Sequence, residues 1–164
     1  MSETKKFKIV ILSDSSSWIN STVELLVADW RQMGFEVFWK HDLYDLPSAN
    51  LCFCLSFSKI LKKEIRDRFE HVLVVHASAL PAGKGWSPLT WQILEGKNRI
   101  PVSLFEADDC VDSGAIYCQQ YIDFQGYELI DDLRRKLAET TYRLCSWFVL
   151  EFPGSSTETR IQKG

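Results

Sequence analysis

Two residues of the chain have titratable side chains at positions where they can contact a substrate. His76 ends the apolar run 72–75, and Asp112 lies in the polar stretch 107–114. A carboxylate beside an imidazole fixes the tautomer of the ring and shares proton transfer with it, which is the usual basis of a general acid or base. A single histidine is more often a packing or hydrogen-bonding residue, and such an aspartate more often caps a helix or closes a turn. The pair is therefore a candidate for acid–base chemistry, with purely structural roles as the alternative.

The elements that must position this pair alternate between strands and helices. Short apolar runs predict strands, and apolar residues spaced by three and four predict helices. The predicted strands are 7–12, 35–39, 51–55, 72–76, 100–105 and 115–120. The predicted helices are 19–33, ended by Gly34, then 58–69, 88–95, and a long one with Leu129, Leu133, Leu137, Leu144 and Phe148 on one stripe. This alternation is typical of an α/β fold with a mostly parallel sheet.

In such folds, ligands bind beyond the carboxyl ends of the strands. The polar residues expected at these ends are Asp14, Ser56, His76 and Asp112. The polar run 13–17 precedes a predicted helix, so its backbone amides can hold phosphate or hydroxyl groups of a substrate. Ordinary N-capping of the helix is the alternative interpretation.

Composition and charge argue against several functional classes. The net charge of -3 provides no positive field for nucleic acid, and the basic group Lys62, Lys63, Arg66 and Arg68 indicates one solvated helix face. No apolar run approaches the roughly 20 residues that cross a bilayer, and the polar first residues pass directly into a strand. We therefore expect a cytoplasmic protein without a membrane or nucleic-acid partner. The five cysteines and three histidines show no metal-ligand spacing, which predicts reduced, mostly buried thiols and no metal site.

Several segments in order resemble the central signature of the folate-dependent formyltransferases. They are His76-Ala-Ser-Ala-Leu-Pro81, then 84–96, 100–104, and Val111-Asp-Ser-Gly-Ala-Ile116, with weaker similarity at 55–61. The resemblance implies an α/β, Rossmann-like three-layer formyltransferase fold with a mostly parallel central sheet. It also implies a catalytic domain over 1–152 and a C-terminal tail over 153–164. The tail ends inside what resembles a Gln-x-Gly-Glu element, as expected for a truncated chain or for a short branch of the family.

The resemblance also implies roles for individual residues, with 10-formyltetrahydrofolate as the cofactor. His76 matches the catalytic histidine, and Asp112 matches the aspartate of a Leu-Asp-x-Gly motif. The cofactor residues implied are Lys59 near the folate tail, Ile60 and Leu61 in the pterin pocket, and the pterin loop Asp108, Asp109, Cys110 and Val111, which acts through its main chain. For the substrate side we predict Asp14, Ser15, Ser78, Lys84 and Trp86.

The sequence departs from the family at one position. The family motif reads Asn-x-His, and its asparagine helps to hold the developing oxyanion, whereas Val74 stands here. Losing such a donor costs about 2.7–4 kcal/mol of transition-state stabilisation. Three explanations remain: another donor such as Ser56, Ser78 or a backbone amide substitutes, His76 acts alone and slowly, or the chain is a non-catalytic relative. We favour a working enzyme, because the histidine, the aspartate and the loop pattern are all present.

The resemblance is greatest to the compact bacterial branch that formylates nucleotide-linked amino sugars, including the formyltransferase of pseudaminic acid formation. Trp86-Ser87-Pro88, in place of the common Arg-Gly, supports that branch. The implied function is N-formylation of a nucleotide-linked amino sugar, with a non-catalytic folate or nucleotide-sugar binding protein as the alternative. A hydrolase using Ser78 is disfavoured because no Gly-x-Ser-x-Gly surrounds it. The aromatic content and the long last helix allow a homodimer.

Overall fold

The computed structural model describes residues 6–152 and 159–163. Two compact units divide the chain, Met1–Leu73 and Val74–Gly164. The strands are β1 (Lys8–Leu12), β2 (Glu36–Lys40), β3 (Ala49–Cys54), β4 (Phe69–His76), β5 (Arg99–Glu106) and β6 (Ile116–Asp123). The helices are α1 (Asn20–Gln32), α2 (Lys63–Arg66), α3 (Pro88–Leu94) and α4 (Ile130–Glu151). Strand β4 crosses the boundary and contributes to both units.

The six strands are hydrogen-bonded in the order β2-β1-β3-β4-β5-β6. Strand β1 pairs in parallel with β2 and with β3, so that Ile9 lies opposite Val37 on one side and Leu51 on the other. Strand β6 runs antiparallel to β5, with a register shift between Leu104 and Phe105. The predicted α/β, Rossmann-like fold with a mostly parallel sheet is confirmed. The apolar run that became β4 occupies an interior position, as its composition predicts.

In the first unit, α1 buries Trp30, whose ring lies 5.2 Å from the ring of Phe53. The helix ends as its sequence predicts. The Phe35 amide donates to the Trp30 carbonyl and the Gly34 amide donates to the Arg31 carbonyl, both at 3.0 Å. Gly34 has a φ of +95°, a conformation that glycine adopts without steric cost. The glycine therefore sets the length of α1.

The helix predicted after β3, over 58–69, is wrong, since α2 has only four residues. The Ser58 amide donates instead to Oδ1 of Asp14, at 3.1 Å. The Arg66 guanidinium donates to the carbonyl of Leu61 at 2.7 Å. Only the short α2 forms, so the basic residues do not share one helix face.

In the second unit, one buried cluster underlies the end of β4. It consists of Leu80, Phe105 and Ile116, with Val74 packed against it and partly buried. Aliphatic and aromatic side chains of this kind gain stability from removing apolar surface from water. The Val74 side chain therefore has a packing role.

Helix α4 buries a face in its second half. The buried side chains are Thr140, Thr141, Leu144, Cys145, Phe148 and Val149. The hydroxyls of Thr140 and Thr141 donate to the carbonyls of Lys136 and Leu137, so the polar groups on this face are satisfied within the helix. The predicted apolar stripe of this helix is wrong at its first residue, because Leu129 precedes the first turn of α4 and is 73% exposed. Within the described residues, no helix has the length and apolar composition needed to cross a membrane.

Glu128 holds the turn that precedes α4. Its carboxylate accepts hydrogen bonds from the amides of Gln125, at 2.7 Å, and Gly126, at 2.9 Å, and lies 3.4 Å from the Lys136 ammonium. The hydrogen bond from the Gln125 amide is the main cause that lowers the pKa of Glu128 from 4.5 to about 2, against an opposing effect of burial. Folding therefore favours the ionised form of this carboxyl.

Replacing Glu128 by Gln should lower the Tm by a few degrees near neutral pH. A folded-state pKa below the unfolded one stabilises the protein above the unfolded pKa, and this contribution is lost as the pH falls through the folded pKa. The wild-type advantage should therefore shrink below pH 4.5 and disappear toward about pH 2. Thermal denaturation across this range measures it, with Glu139→Gln, an exposed helix residue, as the control. A Tm difference that is the same at every pH would contradict the role given to Glu128.

Candidate functional site

His76 is the last residue of β4, and the chain turns directly after it because the Ser78 amide donates to the His76 carbonyl at 2.9 Å. The imidazole is 9% exposed and meets the ring of Phe105 edge-on, with 6.4 Å between centroids. Its Nε2 lies 2.8 Å from the carbonyl oxygen of Gly83. A carbonyl can only accept, so Nε2 carries a proton and is a donor nitrogen of the ring.

Asp112 places a carboxylate beside this imidazole. Its Oδ2 lies 3.7 Å from Nε2 of His76 and accepts a hydrogen bond of 2.9 Å from the Gly85 amide. Asp112 has a φ of +54°, in the left-handed region that aspartate tolerates better than most residues. The aspartate is thus a turn residue and also the neighbour of the imidazole. The structure brings together the two side chains that residue type and resemblance single out.

Ser78 is buried beneath the loop that follows β4. The residue is 2% exposed, and its Oγ has no hydrogen-bond partner in the described part of the chain. A Cβ at Gly83 would lie 2.8 Å from the Cβ of Ser78, so glycine allows the loop to approach this closely. The Ser78 carbonyl accepts from the hydroxyl of Ser103 at 2.7 Å, and Ser103 accepts from the Gln119 amide at 2.8 Å. The serine therefore supports the loop that carries the Gly83 carbonyl.

The predicted substrate residues Lys84 and Trp86 lie in the same loop and are exposed, Trp86 to 70%. Lys84 directly follows Gly83, whose carbonyl contacts His76, and Trp86 directly follows Gly85. The loop thus combines an inner side fixed by Ser78 with an outer side that presents a cation and an indole to solvent. These two side chains are accessible to a ligand.

The predicted pterin loop, residues 108–111, is exposed in the second unit. Two hydrogen bonds shape it. The Asp109 amide donates to the carboxylate of Asp108 at 2.7 Å, and the Cys110 carbonyl accepts from the hydroxyl of Ser113 at 2.8 Å. The loop leads directly into the turn of Asp112. A defined and exposed main chain is what recognition through backbone groups requires.

The first unit holds the other predicted residues. Oδ1 of Asp14 accepts from the hydroxyl of Ser58 at 3.0 Å as well as from its amide. Lys59 follows this contact and is exposed. Ile60 is 63% exposed, whereas Leu61 is buried. The aspartate thus anchors the start of the segment for which the resemblance implies folate binding.

The polar run 13–17 is organised by a residue of the helix that follows. The side-chain amide of Asn20 donates to the carbonyls of Asp14, at 3.0 Å, and Ser15, at 3.1 Å. The N-cap of α1 is Ile19, with no side-chain cap. No side chain of the run caps α1 itself, so the N-capping interpretation is wrong, although the Ile19 amide donates to the Ser17 hydroxyl at 3.4 Å just before the helix.

Three groups around the pair were not singled out by the sequence: the Gly83 carbonyl, the Gly85 amide and the Gln162 side chain. Nε2 of Gln162 donates to the carbonyls of Asp112 and Gly114, both at 2.9 Å. The positions of main-chain groups cannot be recognised from residue types, and only Gly83 and Gly85 indicated an unusual loop. For Gln162, the signal was the resemblance of the last residues to a Gln-x-Gly-Glu element.

All five cysteines are thiols outside any disulfide, and three of them are buried, as their apolar context predicts. Burial raises the pKa of the Cys145 thiol and, to a smaller extent, that of Cys118. Burial, followed by the hydrogen bond to Glu106, raises the pKa of Tyr117. Among the described residues, no group of three or more histidine, cysteine, aspartate or glutamate side chains is placed to hold a metal ion.

Comparison with known proteins decides the family. The sequence profile of the family described as Formyl transferase matches residues 40–147, more than half of the chain. This chain belongs to the formyl transferase family. The match includes His76, the loop 108–111 and Asp112. The family resemblance inferred from the sequence is therefore confirmed.

Relatives within the formyl transferase family share the fold but differ in length. Methionyl-tRNA formyltransferase of Finegoldia magna is 31% identical over 97 residues, 58% of this chain and 31% of that protein. The chain spans about a third of the length of the curated relatives it matches. HypX from Aquifex aeolicus, in complex with tetrahydrofolic acid, superimposes with a TM-score of 0.79 at 18% identity, covering 96% of this chain and 28% of HypX. The formyltransferase PseJ from Anoxybacillus kamchatkensis, in complex with a UDP-linked formamido sugar and tetrahydrofolate, gives 0.74 at 21% identity, covering 95% and 82%.

Proposed function

We propose that the chain transfers a formyl group from 10-formyltetrahydrofolate to the amine of a nucleotide-linked amino sugar. The observation that carries the proposal is the pair of His76 and Asp112, with 3.7 Å between Nε2 and Oδ2, in a member of the formyl transferase family. The imidazole supplies a donor, the carboxylate supplies an acceptor, and both lie at the end of an interior strand. We assign this catalytic domain to residues 1–152.

10-Formyltetrahydrofolate supplies the formyl carbon: the amine nitrogen bonds to it, its bond to N10 breaks, and N10 takes up a proton equivalent to the one that the amine releases. Negative charge builds on the formyl oxygen as the amine adds, before the bond to N10 breaks, and a positioned N–H donor stabilises it. In the structure the Nε2–H of His76 is donated to the Gly83 carbonyl. We propose that the formyl oxygen replaces this carbonyl as the acceptor. Asp112 orients the ring and accepts the amine proton, directly or through water.

Among the residues assigned to the cofactor, those of the loop 108–111 have a geometry that suits a folate. Its exposure, combined with internal hydrogen bonds, suits a main chain that pairs with the edge of a pterin. The loop ends in the turn of Asp112, so a pterin held there would bring its substituent toward the pair. Lys59, Ile60 and Leu61 stay assigned to the folate by resemblance.

Three observations support an amino-sugar acceptor. The net charge of -3 offers no positive field to a tRNA. The exposed Lys84 and Trp86 provide a cation for phosphate and a ring for stacking, which are groups that a sugar nucleotide can use. PseJ, whose complex contains a UDP-linked formamido sugar, matches this fold over 82% of its chain. The second candidate is a tRNA acceptor, favoured by the methionyl-tRNA formyltransferases among the relatives.

The test uses the full chain with 10-formyltetrahydrofolate and a panel of nucleotide-linked amino sugars, with methionyl-tRNA in parallel. We expect release of tetrahydrofolate, followed by absorbance, and a formylated sugar identified by mass spectrometry. The matched variant is Asp112→Asn, which keeps the shape of the side chain but cannot take up a proton, and we expect kcat to fall about 100-fold.

The outcomes separate the candidates. Turnover with methionyl-tRNA alone would replace the sugar by tRNA as the acceptor. Binding of 10-formyltetrahydrofolate without turnover of any amine would support the non-catalytic alternative, which Val74 favours because its side chain cannot donate a hydrogen bond. Equal rates for the wild type and Asp112→Asn would reject the role given to the carboxylate.

A further inference from the structure

The segment 159–163 lies against the start of β6. The Arg160 amide donates to the Ile116 carbonyl at 2.8 Å, and the Ile116 amide donates to the Arg160 carbonyl at 2.9 Å. The Arg160 guanidinium also donates to the side chain of Gln119 at 2.6 Å. Three hydrogen bonds therefore fix the register of this segment beside the turn that contains Asp112.

Gln162 extends from this segment into the turn. Its Nε2 donates to the carbonyls of Asp112 and Gly114, which uses both amide hydrogens. The opposite orientation of the amide would place Oε1 against two carbonyl oxygens, which repel it. Oε1 is buried and has no donor among the described residues. The amide is thus committed to these two carbonyls.

The two carbonyls belong to Asp112 itself and to Gly114, two residues later in the same turn. Asp112 has a positive φ, a conformation that costs free energy for any residue with a Cβ. Its Oδ2 meets the Gly85 amide and stands 3.7 Å from Nε2 of His76. Tying down the peptide groups of residues 112 and 114 limits the rotation of the turn. It therefore limits the directions in which the carboxylate can point.

We infer that Gln162 is a positioning residue that holds the Asp112 turn so that its carboxylate stays at His76. This inference rests on the proposed function, because it gives the carboxylate a catalytic task. Gln162 touches neither the imidazole nor the carboxylate and acts only through the main chain of the turn. Its removal should therefore affect the rate more than the binding of 10-formyltetrahydrofolate.

The test is Gln162→Ala in the full chain. We expect kcat to fall about tenfold, with the KM for 10-formyltetrahydrofolate within about twofold of the wild type. The amide proton of Gly85, which is donated to the carboxylate, should move upfield in the NMR spectrum of the ligand-free variant. Ile161→Ala, at the exposed neighbour in the same segment, should change neither kcat nor KM nor the Gly85 resonance.

A second variant separates the hydrogen bonds from packing. Gln162→Glu has the same length but presents an ionised carboxylate to the two carbonyls near neutral pH. We expect it to lose as much activity as the alanine variant, and to regain part of its rate relative to the wild type as the pH falls toward about 5, where a protonated carboxyl can donate one hydrogen bond. A residue needed only for packing would be rescued by Glu at every pH.

The results distinguish two failures. An active wild type, with Gln162→Ala unchanged in both kcat and the Gly85 resonance, overturns the inference and leaves the proposed function intact. A wild type without turnover on any acceptor overturns the proposed function and the catalytic part of the inference. The Gly85 resonance then still decides whether Gln162 holds the turn.

Discussion

Replacing His76 by alanine should lower kcat for formyl transfer by about 1,000-fold while the chain stays folded. The variant loses the Nε2–H that is proposed to bind the formyl oxygen, and it loses the ring that Asp112 is proposed to orient. The lost hydrogen bond to the Gly83 carbonyl should lower the free energy of unfolding by only about 1 kcal/mol. Steady-state kinetics with the accepted amino sugar measure the rate, and thermal denaturation verifies the fold.

Two further variants define what the imidazole contributes. His71→Ala removes a histidine from the same strand, five residues earlier, and should keep kcat within about twofold of the wild type. His76→Gln keeps an N–H donor but no titratable nitrogen, so its rate should exceed that of His76→Ala by about tenfold if hydrogen-bond donation dominates. Undiminished turnover in His76→Ala would reject the mechanism.

Strands β1, β3 and β5 were predictable because each contains a short apolar run that the sheet buries. Strand β1 begins within one residue of its predicted start and ends at the predicted residue. Helix α2 was not predictable, because the chain before it is held by a contact between Asp14 and Ser58, 44 residues apart. No local pattern reports such a pairing. The error therefore arose where a contact between residues far apart in the sequence holds the chain before the helix.

In the site, the sequence indicated the side chains, whereas the main-chain groups around them depend on contacts between distant residues. Residue type and family resemblance singled out His76 and Asp112, and the structure places them 3.7 Å apart. The groups that also contact them, the Gly83 carbonyl and the Gly85 amide, belong to the backbone of a loop. Their positions depend on how that loop packs over Ser78, which involves contacts in three dimensions. The sequence therefore indicated the two candidate side chains but not the groups that contact them.

Gly114 shows why the turn that carries Asp112 needs a residue without a side chain. Gly114 is buried, and its own carbonyl accepts from Gln162. A Cβ at this position would overlap the carbonyl oxygen of Glu106 and lie 2.7 Å from its carbonyl carbon. That carbonyl belongs to the last residue of β5, so no side-chain rotation can relieve the overlap. The glycine at position 114 is thus explained by close approach of two backbones.

Replacing Gly114 by alanine should therefore lower the free energy of unfolding by about 3 kcal/mol, the upper end of the usual cost of overpacking. For a chain of this size the Tm should fall by roughly 6–12 °C. The control is Gly96→Ala, which has a φ of +78° but open space around the new methyl group, so backbone strain alone should cost about 1–2 kcal/mol. Because relief of the overlap must move the turn, Gly114→Ala should also reduce kcat at temperatures where it is fully folded. Thermal denaturation and kinetics measure the two effects, and a Gly114→Ala variant no less stable than Gly96→Ala would contradict the steric argument.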